Sequence, residues 1–308
     1  MFDMHDIIEF TDHMLVGAVN QAKQRLLPRK RFTEPCYTSA IVSIFPSLMH
    51  LSMFGNVKFG GCFIHQRPIV KAQGYPHGCE LGDLLVLCRE KTQGNERFNA
   101  ALFQLKRDNR HYPERNVMLS PIQYDLYTKW PPFSFGYTFD KNNCYDIRPR
   151  MVTPGAQYMI IEDAPYFRPV MFSTSIPINN MYFDDEASFG LYLWNFIHWD
   201  TGRPISIEAE KNEDEWSRLI WDLINHTKGV VYHQRVIQQS SDRVNGDFFN
   251  FMQTTECMNY IPQSLLTEIN VDSHSSSVET SKENEDMINQ EYNGAISILF
   301  MDIQQDIW

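Results

Sequence analysis

The chain has 308 residues, of which 43% are hydrophobic and 13% are aromatic. This composition is typical of a globular protein rather than a disordered one, and the length is sufficient for one large domain or two smaller ones. The formal net charge of −11 argues against a protein whose whole surface binds nucleic acid, although it is compatible with one local basic groove.

The sequence shows no sign of export or of membrane insertion. Its first residues, MFDMHDIIEFTDHML, have no basic start, no apolar core and no small-residue cleavage site. No apolar run approaches the roughly 18 to 20 residues that a membrane-spanning helix needs. We therefore expect a cytoplasmic protein with no membrane partner.

The residues of common metal and nucleotide sites are not clustered along the sequence. The six cysteines are scattered without a CxxC pair, so buried reduced thiols are favoured over a zinc site or a disulfide framework. The histidines show neither HxH nor HExxH spacing, and the motifs GxSxG, GxxxxGK[ST] and GxGxxG do not occur. A zinc hydrolase, an acyl hydrolase, a P-loop NTPase and a Rossmann enzyme therefore have no local support.

Hydrophobic periodicity predicts two helices followed by a strand in the first part of the chain. The first helix covers residues 5–25, and the second runs from about Pro35 to Phe54 with Thr33 as its N-cap. The segment Val57–His65 is rich in Phe, Val and Ile, which is typical of a strand.

Two apolar runs then predict a β-hairpin. Gly82–Cys88 and Ala100–Lys106 are separated by a polar segment that contains REKTQGNERFN, so we expect a long turn between the two strands. A short helix over Ser120–Thr128 follows, with Ser120 as its N-cap and Pro121 at its first position.

The second half of the chain contains fewer clear elements. A strand is expected at Tyr158–Ile161, and helices are expected at Glu186–His198 and Asp214–Thr227. Residues 294–303 (GAISILFMDI) predict a last strand that returns to the main sheet or pairs with a partner protein, because an exposed apolar edge invites aggregation. The predicted division of the chain is an α/β domain over residues 1–240, an irregular segment over 241–270, an acidic Ser-rich linker over 271–292 and a C-terminal strand over 293–308.

Asp83, Gln104 and Lys106 are the candidate catalytic residues. Asp83 begins the first hairpin strand, whereas Gln104 and Lys106 lie two positions apart on the second strand and therefore face the same side of the sheet. An ionised aspartate at the start of an apolar strand is costly unless it is paired or binds a metal. Hard cations such as Mg²⁺ bind oxygen ligands, and a nearby lysine can position the attacking water in phosphodiester hydrolysis.

The segment ELGDLLVL…ALFQLK resembles the PD-(D/E)XK nuclease superfamily, in a variant with Gln at the usual position of an acid. The order of elements around it is also similar to that family: a helix headed by Glu34, the hairpin and a further helix. The resemblance implies an α/β fold with a mixed central β-sheet flanked by helices. It also implies a restriction-endonuclease-like core over about residues 30–130, with a C-terminal elaboration.

The resemblance further implies an activity and a metal site. Glu34, Asp83 and Gln104 would hold Mg²⁺ or Mn²⁺, Lys106 would orient the attacking water, and Gln123 would line the site. The implied function is hydrolysis of DNA, with RNA as the alternative substrate, by the nuclease subunit of a bacterial restriction or anti-phage defence complex that includes partner proteins. The sequence departs from the family pattern in two ways, because no Pro precedes Asp83 and because Gln104 is a neutral ligand.

Each candidate also has a structural interpretation. Asp83 could end a turn and Lys106 could be a solvated charge at a strand end, and the chain would then be a non-catalytic interaction or scaffold subunit with a degenerate nuclease-like core. Glu80 could supply a carboxylate that contacts the metal ligands, although a turn residue is slightly favoured. A set of basic residues could border a phosphate groove or be surface charges: Arg29, Lys30, Arg31, Lys106, Arg107, Arg110 and Arg115. A set of aromatic residues could stack bases, although core packing is favoured: Tyr124, Tyr127, Trp130, Phe133, Phe135 and Tyr137.

Overall fold

The computed structural model describes residues 4–26, 37–42, 57–62, 68–92, 95–108, 120–162, 171–177, 183–207, 214–238 and 295–304. The helices in these ranges are α1 (Met4–Leu26), α2 (37–42), α3 (Pro121–Lys129), α4 (Phe189–Ile197) and α5 (Glu215–Gln238). The strands are β1 (Val57–Cys62), β2 (Ile69–Ala72), β3 (Cys79–Glu80), β4 (Leu84–Thr92), β5 (Asn95–Asp108), β6 (Phe133–Phe135), β7 (Ala156–Glu162), β8 (Met171–Pro177), β9 (Phe183–Ser188), β10 (Arg203–Ile205) and β11 (Ser297–Gln304).

The strands form a central mixed sheet and a small second sheet. The eight-stranded central sheet has the order β1-β11-β4-β5-β7-β8-β9, and β10 pairs with β5 on the same side as β7. Strands β11 and β4 are parallel, as are β5 and β7, whereas the other pairs of this sheet are antiparallel. Strands β3, β2 and β6 form the second sheet. The predicted α/β class with a mixed central sheet is therefore confirmed.

Helices cover both faces of the central sheet, as predicted. On one face, Leu126 of α3 and Leu219 of α5 share a buried cluster with Leu102 of β5. On the other face, Leu15 of α1 shares a buried cluster with Phe103 of β5, together with residues of α2 and α4. Consecutive strand residues point to opposite faces, so β5 is apolar on both sides and appears in the sequence as a continuous apolar run. The face covered by α3 and α5 is called the α3 face.

The predicted helices are present, but their ends differ: α5 continues to Gln238, well beyond the predicted end at Thr227. Helix α4 begins at Phe189 rather than at Glu186, because the preceding residues continue β9 as far as the cap residue Ser188. Ser120 precedes α3 as predicted, but its side chain makes no capping hydrogen bond. Of the predicted second helix, residues 37–42 are described and are helical. None of the helices in the described ranges combines the length and the apolar character that crossing a membrane would require.

The hairpin of β4 and β5 is confirmed, but its predicted long turn is wrong. The strands stay paired as far as Thr92 and Asn95, so residues 93–94 alone connect them. The polar residues that follow Cys88 continue β4, because the buried charge of Arg89 is paired. Arg89 in β4 donates to both carboxylate oxygens of Asp302 in β11, at 2.6 and 2.7 Å. A long-range ion pair thus keeps a polar segment in the sheet.

The last predicted strand, β11, returns to the central sheet. It lies between β1 and β4, antiparallel to the first and parallel to the second. Both of its edges are therefore occupied within the chain, and the alternative that it pairs with a partner protein is wrong. The predicted irregular segment over 241–270 and the predicted linker over 271–292 lie outside the described residues.

Candidate functional site

Asp83 lies at the start of β4, where the two hairpin strands begin to pair. Its backbone N–H donates to Phe103 O at 2.8 Å. Its side-chain Oδ2 accepts a hydrogen bond from Leu105 N at 2.7 Å and another from Gln104 Nε2. Asp83 is 8% exposed and Gln104 is 1% exposed. The carboxylate is therefore buried but receives two donors, which offset its loss of hydration.

Helix α3 packs against the site on the α3 face of the sheet. Gln123 Nε2 donates to Gln104 Oε1 at 3.3 Å, and the Tyr127 hydroxyl donates to Leu81 O at 2.7 Å. Gln123 and Tyr127 are four residues apart, so they lie on the same side of the helix, one turn from each other. Tyr127 thus holds α3 to the chain just before Asp83, and Gln123 extends the hydrogen-bonded chain into the helix.

A glycine immediately before Asp83 leaves room for the close packing of α3 on the sheet. A Cβ at Gly82 would lie 3.1 Å from the hydroxyl oxygen of Tyr127 and 3.2 Å from Phe103 O, both of which are closer than an ordinary contact. Neither neighbour can easily retreat, because the tyrosine is hydrogen-bonded and the carbonyl belongs to the sheet. The missing side chain at Gly82 therefore favours the close approach of α3 to β5, which places Gln123 against Gln104.

Lys106 lies two positions beyond Gln104 on β5 and is therefore on the same face of the sheet. The side chain is half-buried. Burial and the nearby charge of Glu80 raise the pKa of Cys79 to about 12, and the charge of Lys106 opposes this rise. The ammonium group therefore lies close enough to Cys79 in β3 for its charge to affect the thiol.

Cys79 is expected to react slowly with iodoacetamide at about pH 8, because the thiolate is the reactive form and a raised pKa keeps the thiol protonated. Lys106→Ala removes the charge that opposes the rise, so the pKa of Cys79 should increase and alkylation should become slower still. Lys91→Ala, at the far end of the hairpin, should leave the rate unchanged. Peptide mass spectrometry after timed alkylation measures the rate. Faster alkylation of Cys79 in Lys106→Ala would contradict the placement of the lysine beside this thiol.

Asp83 and Gln104 carry oxygen atoms of the kind that Mg²⁺ binds. This cation is commonly held by one or two carboxylates, while waters and substrate phosphates complete its shell, so an aspartate and an amide oxygen fit part of such a site. Although Asp83 Oδ2 accepts two hydrogen bonds, a carboxylate has lone pairs on both oxygens. Within the described ranges, no three His, Cys, Asp or Glu side chains form a group that could hold a metal ion. Glu34, the predicted third ligand, lies outside those ranges.

The structure joins Asp83, Gln104 and Gln123 in one hydrogen-bonded chain, with Lys106 farther along the same face. Arg107 follows Lys106 on β5 and therefore points to the opposite face of the sheet. The other residues of the predicted basic groove cannot be placed beside the site, because they lie outside the described residues: Arg29, Lys30, Arg31, Arg110 and Arg115.

The predicted aromatic set packs mainly into the core. Tyr127, Trp130 and Phe133 are buried, and the rings of Tyr127 and Trp130 stack with their centroids 5.9 Å apart. Tyr137, in contrast, is 69% exposed. For Tyr127 the sequence suggested base stacking or, preferably, core packing, but gave no prediction of its hydrogen bond next to the site. The spacing of Gln123 and Tyr127 on one side of a short helix is the signal that could have identified it.

No protein-family model, no curated protein and no solved structure matches the chain. The nuclease resemblance therefore has no support from a relative or a structural neighbour. What supports a function is the chemistry of the residues at the start of the hairpin and their placement on one face of the sheet.

Proposed function

We propose that this chain is a metal-dependent nuclease of the PD-(D/E)XK type that hydrolyses DNA phosphodiester bonds. The observation that supports the proposal is the contact between Asp83 and Gln104, with Lys106 on the same face of β5. An acid, an amide oxygen and a lysine supply the groups that a hydrolytic metal site uses. The succession of α2, the hairpin and α3 also follows the order of elements that the resemblance implies.

In this proposal each side chain has one role. Asp83, the Gln104 amide oxygen and Glu34 would hold Mg²⁺ or Mn²⁺, which when bound activates a water and stabilises charge on the phosphate. Lys106 would orient that water and offset the negative charge that develops during hydrolysis. Because Gln104 is neutral, the site carries less negative charge than a site with two acids, so we expect weak cation binding without the substrate phosphate.

The charge of the whole chain supports a role within a complex. A net charge of −11 repels the phosphate backbone outside any local basic groove. Partner proteins would therefore supply much of the affinity for DNA. A cytoplasmic bacterial restriction or anti-phage defence complex is the setting that we propose, by analogy with the family that the motif resembles.

The proposal is tested by incubating the purified protein with supercoiled plasmid DNA, single-stranded DNA and RNA, each with Mg²⁺, Mn²⁺ or EDTA. The ionic strength should be low, because salt weakens the electrostatic contacts between a protein and the phosphates of nucleic acids. We expect cleavage of DNA that requires the cation and that is lost in Asp83→Asn. The asparagine oxygen can still accept from Leu105 N and Gln104, so this variant should keep the melting temperature of the wild type while losing the ligand charge.

Other results of the same experiment would change or remove the proposal. Cleavage of RNA alone would support the nuclease activity, with RNA rather than DNA as the substrate. Cation-dependent cleavage that persists in Asp83→Asn would place the active site elsewhere or identify a contaminant. A wild-type protein that binds no Mn²⁺ and cleaves none of the three substrates would contradict the proposed activity.

A non-catalytic interaction or scaffold role is the second candidate. The orientation of Gln104 favours it, because Nε2 rather than Oε1 faces Asp83. Such a pair satisfies its own polar groups, and with Gln123 it would serve to hold β4, β5 and α3 together. In that case neither the wild type nor Asp83→Asn should bind Mn²⁺ at this site or cleave any of the three substrates.

A further inference from the structure

Both polar atoms of the Gln104 side chain have partners, and these partners determine which way its amide points. Nε2 donates to Asp83 Oδ2, and Oε1 accepts from Gln123 Nε2 at 3.3 Å. Gln104 is 1% exposed and Gln123 is 8% exposed, so water has little access to either amide. The orientation of one amide is therefore coupled to the orientation of the other through their direct hydrogen bond.

The observed orientation is the one that an ionised Asp83 favours. An ionised carboxylate only accepts hydrogen bonds, so it draws the NH₂ group of Gln104 toward itself. A cation beside Asp83 reverses this preference, because it attracts Oε1 and repels the NH₂ group. If Gln104 turns over, its Nε2 faces Gln123 and needs an acceptor there. A glutamine can supply that acceptor by turning its own amide, since its oxygen and nitrogen atoms are nearly equal in size.

We propose that Gln123 is a positioning residue for Gln104. By turning its own amide, it allows Gln104 to change from facing Asp83 with Nε2 to facing a divalent cation at Asp83 with Oε1. This inference rests on the proposed metal site. The reversal needs rotation of two side-chain amides and no movement of α3, because Tyr127 holds the helix to Leu81 O one turn farther along.

The proposal predicts opposite effects for substitutions of similar size at one position. Glu at position 123 only accepts hydrogen bonds, so Gln123→Glu should stabilise the orientation in which Gln104 Oε1 faces the cation. Met at position 123 offers no acceptor of comparable strength, so Gln123→Met should leave the turned Nε2 without a partner. Loss of such an outer partner typically weakens metal binding by about 10-fold to 100-fold, and we expect about 10-fold for Gln123→Met.

The added charge of Gln123→Glu requires a matched control. Ser120 is exposed and precedes α3 directly, without a capping hydrogen bond. Ser120→Glu therefore adds the same charge one turn away without touching Gln104. Mn²⁺ alone is the probe, and its free concentration is followed by electron paramagnetic resonance. Affinities are compared for the wild type, Gln123→Glu, Gln123→Met, Ser120→Glu and Asp83→Asn, with melting temperatures to show that each variant is folded.

A second measurement reports on the amides themselves. In ¹⁵N-labelled wild type, the side-chain NH₂ resonances of Gln104 and Gln123 should both shift when Mg²⁺ is added, because each amide changes its partner. In Gln123→Glu the Gln104 resonances should already be shifted without the cation. A purely structural role for Gln123 would predict neither result.

The possible outcomes separate this inference from the proposed function. Tighter Mn²⁺ binding in Gln123→Glu than in Ser120→Glu, together with weaker binding in Gln123→Met, supports the positioning role. If Mn²⁺ binds the wild type but not Asp83→Asn, and Gln123→Glu and Gln123→Met are both unchanged or equally weakened, the positioning role is wrong while the metal site stands. If the wild type binds no Mn²⁺, or if Asp83→Asn binds it equally well, the metal site and this inference fail together.

Discussion

Lys106→Ala should lower the rate of metal-dependent DNA cleavage by about 100-fold or more, since one group that orients the nucleophile or offsets developing charge contributes roughly 10²-fold to 10⁴-fold. The lysine is half-buried on the face of β5 that carries Gln104. Its removal leaves the hydrogen bonds from Gln104 and Leu105 to Asp83 in place, so the fold and the binding of Mn²⁺ should be retained. Initial rates of plasmid nicking at saturating Mg²⁺ measure the effect.

The matched control for this prediction is Lys91→Ala. Lys91 belongs to the same hairpin, but its side chain is 59% exposed and it pairs with Glu96 at the far end of β4. Loss of this surface charge should change the cleavage rate by less than about twofold, as is usual for surface positions away from a site. Equal losses in the two variants would indicate a general charge effect. Full activity of Lys106→Ala would contradict the role given to this lysine.

Asp302→Ala should lower the free energy of unfolding by about 3–5 kcal/mol, the usual cost of removing one partner of a buried ion pair. Arg89 Nε lies 2.6 Å from Asp302 Oδ1, and the side chains are 4% and 0% exposed. The substitution would leave a guanidinium buried in the sheet without its carboxylate. The effect should be large because β11 is an inner strand, paired on both edges. Denaturation in urea, followed by far-ultraviolet circular dichroism, measures the change.

Two variants separate this charge effect from a loss of strand packing. The double substitution of Arg89→Met with Asp302→Leu removes both charges, so it should recover most of the stability, as apolar replacements of buried pairs often do. Glu96→Ala breaks the partly exposed pair with Lys91 and should cost less than about 1 kcal/mol. If Asp302→Ala costs no more than Glu96→Ala, the ion pair does not stabilise the sheet as proposed.

The relative positions of the candidate site residues on the hairpin were predictable from the sequence. A period of two residues places Gln104 and Lys106 on one face, and a hairpin brings Asp83 beside them; the structure has this arrangement. The direction of the Gln104 amide was not predictable. It depends on Asp83, whose carboxylate accepts from Nε2, and on Gln123, which the packing of α3 rather than the local sequence brings within hydrogen-bonding distance of Oε1.

The elements whose signals are local could be predicted from the sequence. Periodicity and apolar runs located the helices and the hairpin strands, because side-chain direction repeats every 3.6 residues in a helix and every two residues in a strand. Two further features emerge only from the packing of distant segments: the length of the hairpin, which extends because Arg89 pairs with Asp302, and the position of β11 between β1 and β4. Both depend on a contact between segments far apart in the chain. Such a contact forms only when the whole sheet packs, because bringing distant segments together costs conformational entropy. The favourable energy of the complete core is needed to offset that cost.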